Sequence, residues 1–111
     1  MRLELKVPKI TLEGKVVLLT GAARGAGAVY ALACARAGAD VACFDKVDLS
    51  ETSKRIKEVT GKASLEITGD IRNIDDIQNM VEVTVERCGK LDVLVNNAGI
   101  CVPSDLVDAT E

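Results

Sequence analysis

The stretch LLTGAARGAGAVYALACARAGADVACFD, Leu18 to Asp45, decides the fold. It leaves a short apolar run, crosses three glycines (Gly21, Gly25 and Gly27) and continues Ala-rich to Ala37. It then meets Gly38 and closes on an acid. "KVVLLT" (15–20) is β-branched and apolar and stops at Gly21, which suits a strand buried on both faces. Gly25 to Ala37 is a good helix former with a glycine behind it. "DVACFD" (40–45) is the second strand.

The same alternation continues outward. Ser50–Val59 is polar with spaced apolar positions, an exposed helix followed by Gly61, and "ASLEIT" (63–68) is the third strand. Asn73 precedes "IDD" in the manner of an N-cap with acids in the first turn. Ile77, Met80, Val81, Thr84 and Cys88 then recur at helical spacing until Gly89. "LDVLVN" (91–96) is the fourth strand, and "NAG" follows it. Strand and helix alternating in this way predict an α/β, Rossmann-like, doubly wound parallel sheet of order 3-2-1-4 with right-handed crossovers. Residues 1–10 read as an N-terminal extension and 11–111 as one domain.

Composition narrows the function classes. Of the 111 residues 48% are hydrophobic, yet there is one Phe, one Tyr and no Trp, so the core must be aliphatic. The net charge is −3 and scattered, with no basic patch to engage nucleic acid or a membrane surface. Cysteines at 34, 43, 88 and 101 have no short metal-binding spacing, and there is no His, so no metal site is expected. The thiols are expected to be buried or inert, which suits a reducing compartment, the cytoplasm. "MRLELKVPKI" lacks the apolar core of a signal peptide, and no run approaches the roughly 18 apolar residues of a membrane span.

The three glycines sit where a strand hands over to a helix. A pyrophosphate needs backbone N–H groups aimed at it and no side chains in the way. Gly21 suits the tight turn, Gly25 a close approach of backbone to phosphate, and Gly27 a helix lying close on the sheet. The Gly-Lys-Ser/Thr ending of an ATP-type loop is missing. Asp45, at the end of the second strand, is placed to accept both ribose hydroxyls of NAD and to repel a 2′-phosphate. Arg24 and Lys46 oppose that preference, and NAD is favoured over NADP.

The pattern Thr20-Gly21-x-x-x-Gly25-x-Gly27 resembles the T-G-x-x-x-G-x-G fingerprint of the short-chain dehydrogenases/reductases, and "NNAG" (96–99) matches a second family signature. The resemblance covers residues 12–111. It implies an NAD(P)-binding oxidoreductase acting on a small secondary alcohol or ketone, in a homo-oligomer. It places the cofactor against Gly21, Arg24, Gly25, Ala26, Gly27, Asp45, Asp70, Ile71, Asn97, Ala98 and Gly99. By the same resemblance Asp70 holds the adenine amino group and Asn96 knits the central strands. Ala26 and Val29 depart from the family pattern, with effects expected on how the first helix packs.

The family's proton chemistry resembles a Tyr-x-x-x-Lys pair assisted by a Ser. The single tyrosine here, Tyr30, has Cys34 four residues on and reads as a packing residue, and Ser104 does not match the family serine. No catalytic residue is assigned. The 111 residues are expected to be the cofactor half of such an enzyme, truncated after the fourth strand, inactive alone, with "LDVLVN" an exposed apolar edge. Two other readings stand beside it: a non-catalytic nucleotide-binding or assembly module, and an S-adenosylmethionine-dependent methyltransferase.

Overall fold

The structure is a computed structural model and describes residues 11–98. The elements run β1 (Val16–Thr20), α1 (Gly25–Arg36), β2 (Asp40–Asp45), α2 (Ser50–Thr60), β3 (Leu65–Thr68), α3 (Ile74–Cys88) and β4 (Val93–Asn96). The strands form one parallel sheet of order β3-β2-β1-β4, with Leu18 opposite Ala42 on one side and Leu94 on the other. The expected order is therefore observed.

Side-chain alternation along the strands splits the core in two. Val17 and Leu19 of β1 and Val41 and Cys43 of β2 face α1 and α2, packing with Ala31, Ala35, Leu49 and Ile56. Leu18, Ala42, Phe44 and Ile67 face the other way, onto Met80 of α3. Because both faces are covered, all five β1 residues are buried, which explains its unbroken apolar run. On α1 the buried residues are Gly27, Ala31 and Ala35, spaced by four along one face and all small, so the helix lies close to the sheet.

That phase corrects two expectations. Tyr30 is 49% exposed and Val29 64%, so neither packs into the core. Two strands also start later than the hydrophobic pattern suggests, at Leu65 and Val93. For β4 the cause is visible. Asp92 gives its own N–H to the Val16 carbonyl (3.0 Å), while its carboxylate accepts the Val16 N–H at 2.8 Å, so a side chain replaces a rung of the ladder. That N–H, with Lys90 at 3.1 Å, holds the Asp92 carboxyl below its ordinary value. Among the described residues β4 is an edge strand, with Val93 38% and Leu94 52% exposed.

Cys34, Cys43 and Cys88 are free thiols. Burial pushes Cys43 up to about 12 and raises the other two, which favours the protonated thiol in all three. Cys101 lies outside the described residues. Among those residues no helix is long and apolar enough to cross a membrane, and no cluster of His, Cys, Asp or Glu could hold a metal ion.

Candidate functional site

The sheet order reverses between β1 and β4, and parallel sheets open a crevice at the carboxyl ends of the strands there. The turn from β1 into α1 lines it. Gly21 has φ +68° and Gly25 φ +61°, both left-handed. A Cβ at Gly27 would run into the Gly21 carbonyl and lie 2.7 Å from Asn97 Nδ2, so only glycine lets α1 start where it does. At Gly25 a Cβ would meet nothing within 4 Å. That backbone faces open space.

Arg24 is the N-cap of α1, extended at φ −161° and ψ 172°, and its side chain makes no capping bond. The first turn contains no acid. Among the described residues no acceptor meets the N–H groups of Gly25, Ala26 and Gly27. These donors carry the positive end of the helix dipole and need an anion or water.

Thr20 ties the turn to β4. Its buried hydroxyl donates to Asn96 Oδ1 (3.1 Å) and accepts the N–H groups of Asn97 and Ala98, each at 3.0 Å. One donor and two acceptor sites are thus all used. Asn97 Nδ2 reaches the Gly21 carbonyl at 3.4 Å, closing the bridge across the crevice. The strand-knitting role expected of Asn96 therefore runs through Thr20. Gly99 lies outside the described residues.

Asp45 ends β2 beside this turn. Its Oδ2 accepts the Ala23 N–H at 2.9 Å, and its Oδ1 accepts Lys46 N–H at 2.7 Å and Val47 N–H at 3.4 Å. A carboxylate has about four lone-pair directions, so capacity remains for a further donor on this half-buried group. Asp70, after β3, is engaged by Arg72, whose Nε and Nη2 donate to it at 3.2 and 3.0 Å while the Arg72 backbone N–H donates at 2.9 Å. These bonds, with Lys46 nearby, hold its carboxyl down to about 2. A ligand amine at Asp70 has to share it with Arg72. Ile71 is half-buried against the Leu18–Phe44 cluster.

Two residues of this arrangement were not singled out from the sequence for what they do. Thr20 reads only as the first residue of the glycine fingerprint, with no bond assigned to its hydroxyl. Thr52 of α2 gave no signal, yet its hydroxyl donates to the Ala22 carbonyl at 2.7 Å from a buried position.

The donor set fits a dinucleotide: bare N–H groups for phosphate, open space at Gly25 and a fixed acid for a ribose. A doubly wound sheet with such a turn at its switch point defines a dinucleotide-binding protein. Comparison with known proteins takes this one step further. The short chain dehydrogenase family model matches residues 15–111. A 2-dehydro-3-deoxy-D-gluconate 5-dehydrogenase of Escherichia coli is 37% identical over 91% of this chain and 40% of its own length. A short-chain type dehydrogenase/reductase from Mycobacterium marinum superposes with TM-score 0.79 at 35% identity, over 84% of this chain and 38% of that one. Carveol dehydrogenase from Mycobacterium avium, solved in complex with NAD, superposes with TM-score 0.75 at 30% identity, over 80% and 37%.

The chain belongs to the short-chain dehydrogenase family and is its Rossmann, NAD(P)-binding portion. It spans about two fifths of the length of the curated relatives it matches. Family membership sets the methyltransferase reading aside.

Proposed function

We propose that this chain cradles the adenosine–pyrophosphate half of NAD for an enzyme that interconverts a small secondary alcohol and its ketone. The observation that carries this is the glycine turn, which among the described residues leaves three N–H groups of α1 without an acceptor beside an immobilised Asp45. In this reading the N–H groups of Gly25, Ala26 and Gly27 bind the phosphates, with Gly21 shaping the turn and the Arg24 cation nearby. Asp45 takes the ribose diol. Asp70 and Ile71 hold the adenine, and Asn97, Ala98 and Gly99 flank the second ribose. Bound here, the dinucleotide supplies the hydride acceptor or donor.

Residues 1–111 hold neither a Tyr-x-x-x-Lys pair nor a matching Ser, so proton transfer to substrate falls to groups they do not supply. The chain by itself therefore binds dinucleotide and turns over no alcohol. The preference for NAD over NADP rests on Asp45, because a 2′-phosphate would bring like charge against its carboxylate. The complete enzyme is proposed to be a cytoplasmic homo-oligomer.

Calorimetric titration with NAD and NADP tests the reading. Asp45→Ala is expected to weaken NAD by about 1–3 kcal/mol more than NADP, as loss of a charge-assisted pair of hydrogen bonds. Tighter binding of NADP than of NAD by the unaltered chain would show that Arg24 and Lys46 dominate.

A further inference from the structure

The peptide unit joining Ala22 to Ala23 is held at both ends. Its carbonyl accepts the Thr52 hydroxyl at 2.7 Å, and its N–H donates to Asp45 Oδ2 at 2.9 Å. The Ala23 carbonyl lies 3.1 Å from the same hydroxyl. Carbonyl and N–H of one peptide are coplanar and point oppositely, so turning one end turns the other. Ala22 is fully buried and Thr52 is 3% exposed, so no bulk water stands in for the hydroxyl. The Ala22 N–H, on the preceding peptide, goes to the Phe44 carbonyl at 3.3 Å, next to Asp45 itself.

From this geometry we infer that Thr52 is a positioning residue for the Asp45 carboxylate. It sets the Ala22–Ala23 peptide plane and thereby the chain's discrimination between dinucleotides with and without a 2′-phosphate. The inference rests on the proposed role of Asp45 in binding the ribose. Thr52 lies on α2 and need touch no ligand. Without its hydroxyl the Ala22 carbonyl is left buried and unpaired, the peptide is free to rotate, and Asp45 keeps only the Lys46 and Val47 N–H groups on its other oxygen. The diol acceptor loses its fixed orientation, whereas the bare N–H groups of α1 that meet phosphate in both dinucleotides are untouched.

The test compares NAD and NADP dissociation constants for the 111-residue chain. Thr52→Val, which keeps the shape and removes the donor, is expected to lower the NAD-over-NADP preference about fivefold or more. Thr52→Ser is expected to hold it within about twofold. In an Asp45→Ala background Thr52→Val should leave the ratio unmoved, because the group it acts through is gone. A merely structural Thr52 would lower stability and weaken both dinucleotides alike. An unchanged ratio in Thr52→Val, an equal fall in Thr52→Ser, or the same fall without Asp45 each overturns the inference. Should Thr52→Val not fold, Thr52→Cys, a weak donor of similar size, is read by the same criteria. No binding of either dinucleotide by the unaltered chain overturns the proposed function and this inference with it. Binding with an unmoved ratio overturns the inference alone.

Discussion

The first turns of α1 and α3 meet the same physical problem and resolve it in opposite ways. Each leaves backbone N–H groups with no partner inside the helix. In α3 the protein answers itself: Asn73 Oδ1 accepts the N–H groups of Asp75 and Asp76 at 2.9 and 3.2 Å, and those two acids oppose the helix dipole. Asp76 in turn accepts the Asp70 N–H at 2.8 Å. In α1 the N-cap is Arg24, the first turn has no acid, and glycine keeps the approach clear. One helix is finished by its own side chains and the other is left for an anion. A binding site here is a place where the usual local stabilisation has been withheld.

The sharpest way to break the comparison is Gly27→Ala. The new methyl has only backbone and Asn97 to move, so a destabilisation of roughly 3 kcal/mol and loss of dinucleotide binding are expected, read by denaturant unfolding and calorimetry. A smaller change makes α1 resemble α3. Arg24→Asp supplies the missing cap on backbone that is already extended, which should raise stability by about 1 kcal/mol while abolishing phosphate binding. Stability and affinity moving together in that variant would mean that the free N–H groups are not the anion site. The converse, Asn73→Ala, should cost about 1 kcal/mol by thermal unfolding and leave dinucleotide affinity unchanged.

The smallest effect concerns acid. Asp70 is held down to about 2 from an ordinary 3.8, chiefly by Arg72. A lowered carboxyl favours the folded state above its unfolded value and loses that contribution as pH falls through its folded value. Stability should therefore decline between about pH 4 and pH 2, and Asp70→Asn should flatten that part of an acid-unfolding curve. Asp92 is lowered in the same direction and remains in that variant, so the curve should be shallower but not level.

Much of the fold was legible because its signals are local. Asn73 followed by two acids announces a helix start within four residues, and Val16–Thr20 reads as a two-face-buried strand from its own five side chains. The three glycines marked the turn because what they allow depends on their own backbone and their immediate neighbours. Misplaced details came where a helical phase or a distant partner decides. Tyr30 read as packing because it lies inside the first helix with Cys34 rather than a lysine four residues on, but the four-residue spacing of Gly27, Ala31 and Ala35 had already used the inward face of α1. The late start of β4 depends on Asp92 meeting Val16, which lies 76 residues away.

The sequence by itself determined the order of strands and helices, the position of the glycine turn and the acid at the end of β2. Those follow from periodicity and backbone preference over a few neighbouring residues. Only the tertiary structure decided that Thr20 spends its hydroxyl on Asn96 and the two residues that follow β4, that Arg72 occupies Asp70, and that Thr52 and Asp45 grip one peptide between them. Most of these are single hydrogen bonds between groups 22 to 78 residues apart. Such a bond leaves no period in the chain, and its partners are chosen when the sheet and helices close over them.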